Sequence, residues 1–307
     1  MSRIHEALEK ARLRQLGQAP GLPSVEEIIT AGVTTTERAA SGGTAPGALP
    51  PEMLESIADN GSILSHCHQG DWPVSGKNVV FLAADTPSAG QEQLRTLRSR
   101  LYQLRGKGTL KVIVVSSAMP GEGKSFLSAN LAHSFALQND QRALVIDADL
   151  RRAGGLTSLL EAPSAPGLSD YLLGEQSADR VIHTGSLKNL YLIPCGKRLD
   201  KPGELVGEAK FRTLIEQLRP ALDWIIIDTP PILPVADARM IADLSDGVIF
   251  VVNANSTPAH LAKRGTQEFL RNKLLGVVLN RSAAPSATYY ASYGYGNSSD
   301  DHAKQSK

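Results

Sequence analysis

The sequence predicts an α/β fold with a mostly parallel central sheet and helices on both faces. Three observations carry this prediction. Short aliphatic runs alternate with helix-length segments from about residue 78 to residue 280. Most of these runs are continuous rather than alternating apolar with polar, the pattern of strands buried on both faces of a parallel sheet. Aspartates close two of them, Asp147 after ALVI and Asp228 after WIII, at the edge where ligands gather on an open α/β sheet.

The first expected element is a helix over residues 3–16. Ile4, Ala7, Leu8 and Ala11 recur at helical spacing, and Arg3, Glu6, Lys10, Arg12 and Arg14 fill the other faces. A short basic amphipathic helix of this kind can dock on its own protein, on a partner or on an anionic lipid surface, or remain a solvated terminal helix. Residues 17–51 open with GQAPGLPS and close with AASGGTAPGALPP. That composition buries too little apolar surface to hold a fold, so a flexible linker is expected, with a brief helix near residues 25–30.

The core domain is expected over residues 52–280. Its first strand is NVVFLAA at 78–84, and Thr86-Pro87-Ser88 then starts a helix running from Ala89 to about Leu104. Further strands are expected at 111–116, 143–147, 190–193, 224–228, 247–252 and 275–279. Residues 281–307 return to Ser, Ala, Gly, Asn and Tyr without a core pattern and read as a disordered tail.

Composition narrows the function classes. Of 307 residues, 42% are apolar, 21% charged and 5% aromatic, which excludes a collagen, a coiled-coil rod and a wholly disordered chain. Thirty-two basic against 31 acidic side chains give a net charge of +1, so no nucleic-acid partner is expected. Cys67 and Cys195 stand far apart and suggest neither a disulfide scaffold nor a zinc site; His66-Cys67-His68 lacks a second pair at metal spacing. The N-terminus has no apolar signal core, and the longest apolar runs are strand-length. A cytoplasmic protein is expected, with a membrane partner left open.

The strongest local signal is Ala118-Met-Pro-Gly-Glu-Gly-Lys-Ser125, between the strand VIVVSS and the helical segment FLSANLAHSFAL. It reads as a phosphate-binding loop with alanine in the first glycine position, and makes the fold a P-loop NTPase. Gly121 and Gly123 let backbone N–H groups turn toward phosphate oxygens, and the following helix N-terminus adds partial positive charge. Pro120, Glu122 and Phe126 complete the loop and its exit. Lys124 is placed to reach the β- and γ-phosphates of ATP, and Ser125 to offer a hydroxyl to Mg²⁺. Asp147, Asp149 and Asp228 flank the loop, where carboxylates hold Mg²⁺ directly or through water. Asn280 and Arg281, after the last strand, are placed to approach the base or to cap a turn.

These motifs resemble the bacterial tyrosine kinases of exopolysaccharide and capsule synthesis, P-loop proteins unrelated to the eukaryotic kinase fold. That family carries hhhDxDxR between its phosphate loop and its DxPP motif; here the residues are Leu144-Val-Ile-Asp-Ala-Asp-Leu-Arg151 and Asp228-Thr-Pro-Pro231. PGLSDYLLGE at 166–175, VADA at 235–238 and LNR at 279–281 match as well, and SRIHEALEKA resembles the exosortase-associated autokinases. The resemblance runs from about residue 78 to the C-terminus. It implies that Asp147 helps deprotonate an acceptor tyrosine and binds Mg²⁺, that Asp149 contacts the metal, and that Asp228 completes its environment. The position and charge of the residues agree with this but do not by themselves assign the base. Ala153 stands where the family commonly has proline.

The resemblance also makes Tyr289, Tyr290, Tyr293 and Tyr295 autophosphorylation sites. It makes Glu92, Arg95 and Arg98, an E-x-x-R-x-x-R pattern on the helix after Pro87, a contact in a ring-like homo-oligomer. The implied activator is the cytoplasmic segment of a membrane chain-length protein, expected here as a separate polypeptide. Two alternatives stay open. One is a partition-like ATPase switch, against which Met119 stands where those proteins carry an early loop lysine. The other is a non-catalytic ATP-binding scaffold of the export machinery.

Overall fold

Valine, isoleucine and leucine runs that cannot face water form the central strands, four of them buried along their whole length, while the edge run LLGVVLN stays partly exposed, and the sheet they build is the frame of the domain. The computed structural model describes residues 63–69, 72, 89–106, 108–151, 155–199, 202–206, 209–269 and 273–282. The expected N-terminal helix, linker, 78–84 strand and tyrosine tail lie outside the described residues.

Among these residues the sheet has eight strands in the order β1-β4-β5-β3-β6-β2-β7-β8. The strands are β1 (His68–Gln69), β2 (Val112–Ser117), β3 (Ala143–Asp147), β4 (His183–Thr184), β5 (Leu190–Ile193), β6 (Trp224–Asp228), β7 (Gly247–Asn253) and β8 (Leu274–Asn280). From β5 to β8 every neighbouring pair is parallel. β4 runs antiparallel to β5, so the sheet is mixed at that edge. The strands expected at 143–147, 190–193 and 224–228 match the observed bounds; 247–252 differs by one residue at one end, and 111–116 and 275–279 by one residue at each end. β1 and β4 escaped sequence reading because two-residue strands leave no periodic signal.

Successive side chains on a strand point to opposite faces, and the core divides accordingly. Ile113, Val115, Val145, Trp224 and Ile226 face α1 (Ala89–Arg105), α2 (Lys124–Ala136) and α3 (Gly155–Leu159), which contribute Leu94, Leu101, Leu131, Phe135 and Leu156. Val112, Val114, Leu144, Ile146, Ile225 and Ile227 face the other layer. That layer holds α4 (Leu168–Leu172), α5 (Pro202–Val206), α6 (Ala209–Leu218) and α7 (Asp237–Ala242), with α8 (Ala259–Gln267) lying over Phe250 through Gly265.

α1 is fastened by more than its apolar stripe. Phe135 stacks on Trp224 at 4.0 Å, and Tyr102 meets both rings edge-on. The Arg105 guanidinium lies 4.8 Å over Trp224. Arg98 donates to the Ser134 carbonyl near the end of α2 at 2.6 Å. Glu92 and Arg95 form an exposed pair at 3.3 Å.

Candidate active site

The turn from β2 into α2 needs glycine twice. Gly121 and Gly123 have φ of 80° and 99°, in the left-handed region that side chains disfavour. A Cβ on Gly123 would also lie 1.9 Å from Asn280 Nδ2. That same Nδ2 donates to the Glu122 carbonyl at 2.9 Å, so the end of β8 grips the loop from outside. Glu122 is 2% exposed and turns its carboxylate inward. It accepts from the Met119 amide at 2.7 Å and from the Thr257 hydroxyl. The Glu122 side chain thus braces the loop.

The carboxylates come from two adjacent strands. Asp147 and Asp228 are Cα partners across β3 and β6. The Ser125 hydroxyl donates to Asp228 Oδ2 at 2.6 Å and the Ser128 hydroxyl to Oδ1 at 3.2 Å. Burial pushes the Asp228 pKa up to about 7; the Asp147 charge adds to the rise, while Lys124 and the Ser125 hydrogen bond oppose it. On Asp147, Oδ2 accepts from the Thr157 hydroxyl at 2.7 Å and the Thr157 amide at 3.0 Å, whereas Oδ1 is buried without a hydrogen-bond partner. Burial raises the Asp147 pKa, and the two Thr157 bonds restrain the rise. Thr157, which sequence reading missed, thereby fixes the orientation of Asp147.

A cavity of about 670 Å³ opens beside these groups. The loop side presents Pro120, Gly121, Gly123, Lys124, Ser125 and Phe126, with Asn280 and Arg281 at its margin. Opposite lie Asp149 and Arg151 after β3, and Pro230, Pro231, Pro234 and Val235 after β6. Asp147 and Asp228 are buried, at 0% and 1% exposure. Among the described residues no three His, Cys, Asp or Glu side chains form a ready-made metal cage. A hard divalent cation still fits the chemistry, because the buried Asp147 Oδ1 lacks a partner and Asp228 and the Ser125 hydroxyl adjoin. Mg²⁺ is commonly held by one or two carboxylates together with substrate phosphates rather than by an all-protein cage.

The AAA domain family matches residues 110–275. The tyrosine-protein kinase YwqD of Bacillus subtilis is 32% identical over 220 residues, covering 71% of this chain and 92% of YwqD. The bacterial tyrosine kinases are therefore the family of this chain. It belongs to them.

As a bacterial tyrosine kinase the chain also aligns with the succinoglycan biosynthesis transport protein ExoP of Rhizobium meliloti, 32% identical over 72% of this chain but only 29% of that longer protein. The solved kinase domain of the Escherichia coli tyrosine kinase Etk is 30% identical with a TM-score of 0.62, covering 67% of this chain and 82% of that one. The family comprises ATP-dependent protein-tyrosine kinases linked to exopolysaccharide synthesis and export. In this member the loop, both DxD aspartates and the DTPP aspartate converge on one end of the sheet. Arg98, half-buried, donates to the Ser134 carbonyl of α2 in its own chain, while Glu92 and Arg95 pair on the exposed face of α1. Tyr289, Tyr290, Tyr293 and Tyr295 lie outside the described residues. No helix among the described residues is long and apolar enough to cross a membrane.

Proposed function

We propose that this kinase transfers the γ-phosphoryl group of ATP to tyrosines of its own C-terminal tail, Tyr289, Tyr290, Tyr293 and Tyr295, in service of polysaccharide polymerisation or export. The observation that carries the reading is the juxtaposition of a glycine-shaped phosphate loop, Lys124 and Ser125 with the in-register carboxylates Asp147 and Asp228. Membership of a tyrosine-kinase family supplies the reaction class.

Lys124 and the loop amides hold the β- and γ-phosphate oxygens and stabilise charge as it shifts toward the leaving group. Ser125, Asp147, Asp149 and Asp228 would hold Mg²⁺, directly or through water; when bound, the ion neutralises phosphate charge. A bond forms between the tyrosine oxygen and the γ-phosphorus, the bond to the β–γ bridging oxygen breaks, and ADP leaves with that electron pair. The phenol, with a pKa near 10, gives up its proton as it reacts. Asp147 receives or orients that proton through Oδ1, the buried oxygen that Thr157 leaves without a partner.

The acceptor tail comes from a neighbouring copy in a ring, with Glu92 and Arg95 on the exposed contact face of α1 and Arg98 setting the helix from within. The activator is the cytoplasmic segment of a membrane chain-length protein, which recruits the kinase to the inner face of the membrane. ExoP, far longer than this chain, supports a functional tie to polysaccharide transport.

Phosphosite mapping after incubation with ATP and Mg²⁺, with and without candidate activator segments, tests the proposal. Phosphotyrosine within residues 289–295 that disappears in Lys124→Ala is the expected result. ATP turnover without phosphotyrosine, even beside a verified activator, would replace the kinase by an ATPase switch; binding with neither would replace it by a scaffold.

A further inference from the structure

Arg151 occupies a place in the cavity that phosphate binding by the loop does not require. It follows β3, whereas the phosphate loop follows β2, and β6 with Asp228 lies between them in the sheet. Arg151 and Lys124 therefore line the same cavity from the ends of two strands that β6 separates, which leaves the Arg151 end for a second reactant once the loop holds the phosphates. Its guanidinium is clamped: Nε donates to Asp237 Oδ2 at 2.7 Å and Nη2 to Asp237 Oδ1 at 3.0 Å. Asp237, the first residue of α7, is 4% exposed, and the Arg151 side chain is 40% exposed.

A fork that spends Nε and one Nη2 hydrogen on a buried carboxylate still has the Nη1 edge to offer. Holding a long side chain in one pose removes rotamer entropy that a ligand would otherwise have to overcome. The clamp is itself enclosed. A Cβ on Gly203 of α5 would lie 2.7 Å from Asp237 Oδ1 and 3.5 Å from Arg151 Nη2, so only glycine lets α5 close over the pair. Pro231, Pro234 and Val235, after β6, add apolar lining to the same cavity.

We infer that Arg151 and the wall of Pro231, Pro234 and Val235 form the acceptor subsite, with Asp237 as the positioning residue that aims the guanidinium. The aromatic ring lies on the prolines and valine, and the Nη1 edge faces the phenol oxygen and then the phosphate placed on it. A fixed cation suits this acceptor because the product gains charge of about −1.5 to −2 at that oxygen. The inference rests on the kinase reading and names the acceptor half of the same cavity.

The test uses the full chain with its tail tyrosines changed to phenylalanine and a synthetic peptide of residues 286–297 as acceptor in trans. KM for peptide and for ATP are measured separately. Asp237→Asn and Arg151→Lys are each expected to raise the peptide KM about tenfold, leave the ATP KM within about twofold, and combine less than additively. Asp237→Glu is expected to recover part of the loss. Gly203→Ala, which leaves both charges in place but crowds the clamp, should show the same selective rise.

Thermal unfolding separates displacement of the clamp from misfolding. Peptide KM values that stay at the wild-type level in Asp237→Asn and Arg151→Lys, or ATP and peptide KM values that rise together in folded variants, would overturn the subsite. Failure of the unmodified site to phosphorylate the peptide, with the activator segment present, would instead remove the kinase reading beneath it.

Discussion

Asp147 and Asp228 end neighbouring parallel strands as Cα partners, so two carboxylates are buried side by side at the mouth of the sheet. Two like charges there are costly, and the cost appears as an Asp228 pKa pushed up to about 7 from 3.8 by burial first and Asp147 second. Folding therefore favours protonated Asp228. Its contribution to stability is complete below about pH 4 and is lost as pH rises through about 7.

That loss is measurable in chelator. His133, pushed down to about 4 by burial, contributes with the opposite sign: its stability is present above 6.5 and fades as pH falls through about 4. Between about pH 6.5 and 8 the fall from Asp228, shared with its buried neighbour Asp147, should outweigh the last of the His133 rise. The unfolding midpoint is expected to fall across that window by about 2–4 °C per kcal/mol lost. Asp228→Asn should flatten the fall, and added Mg²⁺ should raise the midpoint more at the alkaline end. A wild-type profile as flat as that of the variant would contradict the placement of the charge.

The two loop glycines should separate strain from collision. Gly121→Ala has positive φ but open space around a new Cβ, so about 1–2 kcal/mol of backbone strain is its whole cost. Gly123→Ala adds the collision with Asn280 and should also displace that amide from the Glu122 carbonyl. Nucleotide affinity is expected to drop more than tenfold in Gly123→Ala and by a few-fold in Gly121→Ala. Fluorescent-nucleotide titration of the two variants makes the comparison.

Much of this architecture is legible in the sequence because its determinants are local. Continuous runs such as ALVID and WIIID announce buried parallel strands, and the GEGKS string carries its own turn geometry. The clamps are not legible, since each joins distant residues: Thr157 reaches Asp147 by the path of α3, and Asp237 meets Arg151 only after β6 has entered the sheet between β3 and β2. At Arg98 the spacing does not announce the bond to the Ser134 carbonyl of α2, because that contact joins two helices distant in sequence.

That bond divides the E-x-x-R-x-x-R pattern into two roles. Arg98→Ala removes a charged donor from the Ser134 carbonyl and is expected to destabilise the monomer by about 1.5–3 kcal/mol, read by denaturant unfolding. Glu92→Ala and Arg95→Ala lose an exposed pair worth under about 1 kcal/mol, and should leave unfolding unchanged while shifting assembly size in native mass measurements. Equal effects of all three substitutions on stability would merge the roles again.

Thr157 offers a test of how Asp147 is aimed. Thr157→Val removes the hydroxyl from Oδ2 and from the Cys195 amide that donates to it, at an expected cost of about 1–3 kcal/mol. The turnover number should fall at least tenfold with nucleotide affinity nearly unchanged, and Thr157→Ser should recover most of the rate. A Val variant that binds ATP weakly but turns over normally would place Thr157 in binding instead.

The most direct measurement follows the γ-phosphoryl group itself. The full chain is incubated with γ-labelled ATP and Mg²⁺ beside its activator segment, and the label is divided between tyrosine and free phosphate. Label on Tyr289, Tyr290, Tyr293 and Tyr295, absent from Lys124→Ala, is the expected result. Label recovered wholly as free phosphate would contradict the account and leave an ATPase.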